Sequence, residues 1–563
     1  MSDVRSRTDH LEKLLGDPWD GSNPTGFAAS VAADEREETA AAAEAALDEF
    51  GILAEFVPEK LGGRFARADH MIELMRSVYR RDPALGLGHC AGQLLAGVNV
   101  WTSGSPGQQD ATAGLLLNGR KIACAFHELA HGNDIGAAEF AAEAAPAGHG
   151  LTLHGRKETI ANLDRADALV VLARTDPRGG PRSRSQLLLP ADRLDPRHVR
   201  FLPRYRSVGM RGVRLGGMEI TGLPVGDDVL LGNPGTGVET AARAFQLTRI
   251  ALPAMSTGLL DSALRVTLHH TRGRRLYGKE AAAVPMVRTT LAEAFTDLLI
   301  CEAFSRTAAR ALHLTPEAGS VHAPAVKYLV AGMLLDAMER LSQVMGSEFY
   351  RRDGEHAVFQ KLARDVKPIG FGHIARAACL SALLPQLPGL AARSCRNPAT
   401  APAGLFTTET LLPALSLPGL RMASGGRDRL AASLATALDE DLPAGLRPLV
   451  EEHVRRLGAL ADAAAALRPR DLSISADVAV RDLAAGYTVA LAAAACLGVY
   501  RHAPTGDFLS RPEWLAAALA RLAGFEEAAP VALPADVEGA LVEELLERDD
   551  RRLSFGLTAR EYA

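Results

Sequence analysis

The chain has 563 residues, of which 47% are apolar and 23% are charged, and its formal net charge is −5. This length exceeds one ordinary hydrophobic core and predicts two to four domains, while the apolar content excludes a disordered chain. The slightly acidic balance gives no basis for a nucleic-acid partner.

Cysteine usage and the N-terminal segment favour a cytoplasmic protein. The six cysteines are scattered without a C-x-x-C pair, which favours reduced thiols over a disulfide framework. The segment MSDVRSRTDHLEKLLGD is polar and has no apolar signal core. The uncharged apolar run Leu483–Tyr500 is barely long enough to cross a bilayer and is rich in alanine. We predict a buried helix there, with a membrane-surface role as the alternative.

The first predicted elements are helices over residues 27–118. AASVAADEREETAAAAEAALDEFG is a strong helix former that ends at Gly51, and HMIELMRSVYRRD repeats apolar positions at helical spacing. From about residue 120 the pattern changes to short branched runs such as KIACAF, ALVVLART, SQLLLP and GGMEITGLPV, separated by Gly, Pro, Asp and Asn. Such runs predict a small β domain that continues to about residue 232.

Helical patterns return after Gly232–Gly237 (GNPGTG) as four long segments, of which the last is RDVKPIGFGHIARAACLSALLPQL. Four such segments are typical of a helical bundle. RNPATAPAGLFTTETLL (396–412) has linker composition, and the remaining Ala/Leu-rich segments are helical. The predicted fold is mainly α with a central small β-barrel: domains 1–118, 119–232 and 233–395, then a helical extension over 396–563.

The stretch HELAH (His127–His131) matches the H-E-x-x-H signature of zinc hydrolases. That signature requires a helix, because the two histidines must share one face to bind the metal. Here a predicted strand precedes the motif, and Gly132-Asn133-Asp134 breaks any helix directly after it. No third ligand follows at a suitable spacing, so we disfavour a metalloprotease.

A different set of motifs fits the predicted layout better. His127–Asp134 reads x-E-x-x-x-G-[S/N]-D after a strand, and Gly155–Asn162 reads G-x-K-x-x-I-x-N some twenty residues later. Five further motifs follow the same order: FGILAEFVPEKLGG (50–63), FQLTR (245–249), RRLYGK (274–279), SQVMGS (342–347) and the pair Arg364-Asp365. Together they resemble the acyl-CoA dehydrogenase family over about residues 50–395. The extension is similar to the second helical domain of the very-long-chain members, which are dimers.

The resemblance implies FAD as the cofactor and a homodimer or higher oligomer. FAD needs amides and hydroxyls at its ring edge and a cation at its diphosphate. By resemblance, Arg274 contacts the diphosphate of the neighbouring subunit's FAD with Tyr277 beside it; the alternative is a solvated basic helix end. The same comparison places Gln343, Gly346 and Ser347 against the adenine, although Gly346 also suits a plain helix cap.

Two positions near the flavin ring depart from the family pattern. His127 stands where the family has a Thr that bonds the ring edge, and an imidazole can still donate a hydrogen bond. Thr159 stands where a Trp normally screens the ring face, and Ala161 removes a neighbouring hydroxyl, so the ring is more open to oxygen and water. Gly132 and Asn133 match the turn near the phosphates and the bound thioester, and Arg249 matches the substrate side.

The family oxidises an acyl thioester to its α,β-unsaturated form and needs a base that removes the Cα proton. The usual Glu position is occupied by His373, and the alternative position on an earlier helix is occupied by Thr248. Three explanations stay open. His373 is the base; an acid from SEFYRRDGEH, which contains Glu348, Asp353, Glu355 and His356, reaches the site; or the chain does not remove an α-proton.

We therefore predict a FAD-dependent oxidoreductase acting on the CH–CH group of an acyl thioester carried on CoA or on an acyl-carrier protein. Its electron acceptor is an electron-transfer flavoprotein or oxygen. The alternative is a catalytically silent subunit that binds thioester or lends FAD contacts to a partner, or a flavin enzyme repurposed toward oxygen chemistry.

Overall fold

The computed structural model describes residues 4–145, 148–439, 441–525 and 533–562. The region before the sheet is helical: α1 (Val4–Leu15), α2 (Phe27–Glu35), α3 (Ala41–Phe50), α4 (Ala68–Arg81), α5 (Pro83–Leu85), α6 (Gly92–Ser103) and α7 (Pro106–Leu117). The helix predicted to end at Gly51 does end there, with Gly51 in the left-handed conformation at φ +68°. It is two helices rather than one, because α2 and α3 are separated by the segment at 36–40.

One π-helical turn, Gly86–Ala91, joins α5 to α6. Such turns are rare and occur often at functional sites. Asp82 caps the start of α5 by accepting hydrogen bonds from the amides of Ala84 and Leu85. The turn carries Leu87, which becomes part of the cavity described below.

The middle of the chain forms a sheet of eight strands: β1 (Lys121–Ala125), β2 (Ala141–Ala144), β3 (Leu151–Ala161), β4 (Ala166–Arg174), β5 (Arg184–Pro190), β6 (Val199–Leu202), β7 (Leu215–Val225) and β8 (Leu230–Leu231). The order is β6-β7-β3-β2-β4-β5-β8, and β1 pairs in parallel with β4. The predicted β region is therefore confirmed, but a closed barrel is not. In the part of the chain that the structure describes, the edge strand β6 pairs only with β7 and the edge strand β8 only with β5.

The helices after the sheet are α8 (Gly237–Gly273), α9 (Pro285–Leu314), α10 (Gly319–Met345), α11 (Val358–Asp365), α12 (Arg376–Leu383) and α13 (Leu387–Leu390). A hairpin of β9 (Arg275–Leu276) and β10 (Lys279–Glu280) separates α8 from α9. Three of the four predicted long helices are present. The fourth is wrong as a continuous helix: it is interrupted between Asp365 and Arg376, where Pro368 and the left-handed His373, at φ +65°, prevent helical propagation.

The extension contains α14 (Arg429–Ala435), α15 (Arg447–Ala465), α16 (Val478–His502), α17 (Pro512–Ala523) and α18 (Ala535–Asp550). Among the described helices, α16 alone is long and apolar enough to cross a membrane, and 78% of its apolar window is buried inside the protein. It packs against α9 and α10, which confirms the predicted buried helix.

Two apolar cores organise the molecule. The larger one is continuous through the N-terminal helices, α8–α10 and the extension, and the smaller one lies within the sheet. The change from helix to strand falls between Leu117 and Lys121, while the division into four domains stays a prediction. Because the sheet has its own core, its outer face toward α8 and α10 is available to form a cavity.

Candidate functional site

A cavity of about 930 Å³ lies where β1 and β3 meet α6, α8, α10 and the loop before α12. Its walls are mainly apolar and include Leu87, Leu95, Phe126, Met210, Val213, Phe245, Met338 and Phe371. Polar groups enter from the loop after β1, from β3 and from the loop before α12. Small-molecule sites have this character, with an apolar lining and few convergent polar groups.

The β3 strand presents alternate residues to the cavity. Thr159 and Ala161 line it, whereas Ile160 between them points into the core of the sheet. This alternation follows from the two-residue period of a strand. The cavity wall is therefore built here from two small side chains. Thr159 is the position where the family resemblance expects a Trp, and Ala161 is the position where it expects a hydroxyl.

His127 directly follows β1 and lines the cavity together with Gly132 and Asn133. Its Nδ1 lies 3.1 Å from the carbonyl oxygen of Gly132, so Nδ1–H donates and Nε2 carries the lone pair. Burial lowers the pKa of His127 and favours this neutral form. In this tautomer the free nitrogen of His127 is a hydrogen-bond acceptor, and its contact with a flavin edge stays a prediction.

Glu128 of the HELAH stretch has a structural role, because both of its carboxylate oxygens accept hydrogen bonds within the protein. Its carboxylate accepts hydrogen bonds from the Lys157 ammonium at 2.8 Å and from the amides of Glu139 at 2.8 Å and Phe140 at 3.0 Å. Burial alone would raise the pKa of Glu128, but these donors lower it. The segment from Phe126 to Asp134 forms turns and no helix, so the two histidines do not share a helical face.

His373 lies on the opposite wall, 4.4 Å from the ring of Phe245 in an edge-on arrangement. Its Nε2 is 2.8 Å from the hydroxyl oxygen of Thr248 on α8. The two positions where the family would place its base are thus adjacent, although 125 residues separate them in the chain. Neither position carries a carboxylate.

Two cations stand behind His373. The Lys327 ammonium donates to the carbonyl oxygens of Ile369 at 2.6 Å and Gly372 at 3.1 Å, and burial lowers the pKa of Lys327 to about 8. The Nε of Arg249 is buried without a partner among the described residues. Burial, together with Arg249 and Lys327, lowers the pKa of His373 well below its ordinary value. The imidazole is therefore neutral at physiological pH.

The other candidate bases lie elsewhere. Glu348 and Glu355 line a separate surface hollow of about 810 Å³ together with Arg274 and Ser347. Glu348 pairs with Arg351 at 3.2 Å. This placement favours His373 among the three candidates. Within the described residues, the carboxylates that line the cavity itself are the bound Glu128 and the exposed Glu339.

The residues predicted for the diphosphate and the adenine are at the surface. Arg274 is exposed at the start of the hairpin, and Tyr277 is 96% exposed. Gln343, Gly346 and Ser347 are exposed at the end of α10, where Gly346 has φ +56°. Ser342 lines the cavity and Ser347 lines the surface hollow, so the end of α10 borders both spaces. The contact of Arg274 with a neighbouring subunit's cofactor stays a prediction.

The residues present fit a flavin. The cavity volume of about 930 Å³ is at the upper end of the roughly 300–1,000 Å³ typical of small-molecule sites. Aromatic and aliphatic walls suit the flat ring, and His127, Asn133 and Thr159 supply polar atoms for its edge. Arg274 and Arg275 at the neighbouring hollow are exposed guanidinium groups that suit a diphosphate, whereas Arg272 is paired with Asp549 and Asp550.

Sequence reasoning missed the contacts that join distant segments. It examined Thr248 and His373 as separate positions and did not detect their hydrogen bond. It also missed the buried Glu128–Lys157 pair and Lys327. The Lys in G-x-K-x-x-I-x-N was a usable signal, because a charged residue at a buried strand position requires a counter-ion.

The chain is a mainly helical protein with an eight-stranded sheet between two helical regions, and an apolar cavity lies where the sheet meets the helices. The profile of the acyl-CoA dehydrogenase C-terminal domain matches residues 235–373. The human mitochondrial short-chain specific acyl-CoA dehydrogenase is 27% identical over 246 residues, which are 43% of this chain and 58% of the human protein. The chain thus spans less than two thirds of that relative.

Solved structures extend the comparison. An acyl-CoA dehydrogenase from Bacillus anthracis complexed with FAD superposes with a TM-score of 0.75 at 14% identity, covering 98% of this chain and 95% of that one. The prolyl acyl carrier protein oxidase AnaB gives a TM-score of 0.58 at 16% identity, covering 67% of this chain and 97% of AnaB. Residues 235–373 match the family's C-terminal domain, and the chain as a whole is similar to acyl-CoA dehydrogenases in fold. The fold match includes the extension, since the Bacillus protein covers nearly all of the chain.

Proposed function

We propose that the chain is a FAD-dependent oxidoreductase that introduces an α,β double bond into an acyl thioester. The observation that carries this proposal is one cavity lined by His127, Asn133, Thr159 and His373, which come from three separate segments. An apolar space of this size accommodates a flavin ring with the reacting carbons of an acyl chain against it. CoA and an acyl-carrier protein are both retained as carriers, since AnaB is named an acyl carrier protein oxidase.

His127, Asn133 and Thr159 would hold the ring of FAD, which would supply an acceptor for the hydride from Cβ. The chain itself has to position the thioester and accept the proton from Cα. His373 is our candidate for the base because its ring reaches the cavity. When the Thr248 hydroxyl proton points to the carbonyl of Phe245, 3.4 Å away, the Thr248 oxygen accepts Nε2–H and leaves Nδ1 of His373 as the lone pair.

A specific observation favours a second candidate, a silent or repurposed member. Arg249 and Lys327 both destabilise a protonated His373, because a second positive charge would be buried beside them. A subunit that binds thioester without oxidising it, or an enzyme in which oxygen meets the open flavin face at Thr159, does not require this protonation. Oxygen and an electron-transfer flavoprotein are both retained as acceptors.

The absorption spectrum of the purified protein is the first test. We expect a flavin spectrum, and anaerobic mixing with a panel of acyl-CoA and acyl-carrier-protein thioesters is expected to bleach it. Bound flavin that no thioester reduces would support the second candidate. A protein that takes up no FAD would contradict both flavin-enzyme proposals.

His373→Ala tests the base. We expect the rate of flavin bleaching to fall by at least about 10²-fold, the usual contribution of a general base, with FAD still bound. The matched control is His149→Ala, which removes an exposed imidazole from the segment between β2 and β3. Bleaching at the wild-type rate in His373→Ala would exclude His373 as the base.

A further inference from the structure

A second polar hollow lies where the C-terminal segment packs against the helices. Its volume is about 390 Å³. We call it the tail hollow; its charged lining comes from α1, α4, α9, the linker and the C-terminal segment: Arg5, Arg67, Asp69, His70, Glu73, Arg76, Glu302, Arg306, Glu409 and Arg560. A larger hollow of about 720 Å³ shares Arg5, Arg306, Thr408, Glu409, Thr558 and Arg560 with it.

The C-terminal segment is held firmly at this place. The amide of Leu557 donates to Glu302 at 2.9 Å, and Arg548 donates to the carbonyl oxygens of Phe555 at 3.1 Å and Gly556 at 2.6 Å. Gly556 has no room for a Cβ, since Glu302 and Arg76 pack directly against it. The tail hollow therefore exists only when the extension is folded onto the family's core.

Most carboxylates around the hollow are already engaged. Asp69 accepts from Arg67 and from Arg310, and Glu302 accepts from Arg76 and from the amide of Leu557. The Oε1 of Glu73 lies 3.0 Å from the Nη2 of Arg560 but is a buried acceptor that forms no hydrogen bond within the described residues, against three such donors. Glu409 is left as the carboxylate that faces both Arg5 and Arg306 without forming an ion pair with Arg306.

Hydrogen-bond donors are in excess. Arg306 makes no hydrogen bond and no ion pair with any residue that the structure describes, and its Nε is buried without a partner. The Nε of Arg76 and the Nη1 of Arg560 are also buried and unsatisfied. Buried polar groups in native proteins are nearly always paired, and an unpaired buried charge is costly. Three guanidinium groups with unsatisfied donors around one hollow indicate a missing anionic acceptor.

We propose that the tail hollow binds the phosphate group of a small phosphorylated metabolite, with Arg306 as its main ligand and Arg560 and Arg76 beside it. Guanidinium groups bind phosphate oxygens through paired N–H donors. The volume exceeds that of a phosphate alone, and Val4, Ile72 and Ala254 offer an apolar wall for an organic part. The site is independent of the cavity at His373 and of the proposed oxidoreductase activity.

Binding of inorganic pyrophosphate to the full-length protein saturated with FAD tests the proposal. FAD saturation occupies the flavin diphosphate site, so binding there does not contribute. We expect pyrophosphate to raise the melting temperature of the wild type. Arg306→Met is expected to melt at the same or a higher temperature without pyrophosphate, because it removes a buried unpaired charge, and to lose the rise.

Calorimetric titration gives the affinity. We expect Arg306→Met to weaken pyrophosphate binding by at least about tenfold, as for loss of a charge-assisted hydrogen bond, and Arg306→Lys to weaken it less. The matched control is Arg178→Met, which removes one exposed arginine of the sheet region far from the hollow. The proposal would be overturned if pyrophosphate did not raise the melting temperature of the wild type, or if it raised that of Arg306→Met equally.

Discussion

Replacing Glu128 by Ala is expected to destabilise the sheet region strongly. Glu128 is the Glu of the HELAH stretch, and its carboxylate neutralises Lys157, whose side chain is fully buried. The substitution leaves the Lys157 ammonium with the carbonyl oxygen of Phe126, 3.0 Å away, as its remaining partner. It also leaves the amides of Glu139 and Phe140 without their acceptor.

The expected loss is about 3–5 kcal/mol in the free energy of unfolding, the cost of removing one partner from a buried ion pair. Replacing both partners is expected to cost less, since apolar residues can substitute for a buried pair. Glu128→Ala/Lys157→Met should therefore be more stable than Glu128→Ala alone. The deficit of Glu128→Gln should be full at neutral pH and shrink as the pH falls below 4.5 through the lowered pKa of Glu128.

Urea unfolding followed by circular dichroism, with flavin release as a second probe, measures these differences. The matched control is Glu143→Ala, which removes an exposed carboxylate from β2 of the same sheet. A loss in Glu128→Ala within about 0.5 kcal/mol of this control, the range of ordinary surface substitutions, would refute the inference that the pair holds the cavity wall. A double variant less stable than Glu128→Ala would refute it as well.

Three further predictions concern other parts of the molecule. Burial lowers the pKa of Lys327 to about 8 from its ordinary 10.5, so between these pH values the unfolded chain binds more protons than the folded chain. The free energy of unfolding should therefore rise with pH across this range, by about 3 kcal/mol in total. Urea unfolding at a series of pH values measures this rise, and Lys327→Met should lose it. The buried carboxylate of Asp297 accepts a hydrogen bond from Arg521 of the extension at 2.9 Å. Asp297→Asn should therefore lower the free energy of unfolding by about 3 kcal/mol and speed proteolysis of the linker at 396–412. Glu547→Gln, which alters an exposed ion pair, should change neither. Thr159→Trp should cover the open cavity wall and slow reoxidation of reduced flavin by oxygen in stopped-flow measurements, and an unchanged rate would show that Thr159 does not control oxygen access.

The sequence predicted those helices, strands and caps that depend mainly on residues close to one another in the chain. The strand IACAF, the cap at Gly51 and the buried alanine-rich helix are all present, since each depends on propensity and on one apolar face. The β-barrel was not confirmed, since among the described residues β6 pairs only with β7 and β8 only with β5. The prediction of a continuous fourth bundle helix was wrong, because Pro368 and the left-handed His373 interrupt it at 366–375 and form a loop that lines the cavity.

The candidate site was predictable where it follows a linear motif. His127, Gly132, Asn133 and Thr159 belong to two such motifs and line one cavity. Glu348 and Glu355 could not be located in the same way, because the left-handed Gly346 ends α10 and directs the following segment toward Arg274. The orientation of His127 was also beyond the sequence, since it depends on a carbonyl in the turn that follows.

The groups around His373 disfavour a positive charge on its ring and favour a negative charge nearby. Arg249 and Lys327 approach it from behind, Phe245 covers one side, and His127 faces it across the cavity. Such a field opposes an imidazolium but stabilises an anion, and a thioester that loses its α-proton becomes an enolate. If oxidation proceeds here, the two buried cations therefore assist it by stabilising the enolate, which offsets part of the cost of protonating His373. Arg249, whose Nε has no partner among the described residues, lies beside the position where the family's carboxylate is missing, and we expect Arg249→Ala to slow flavin bleaching.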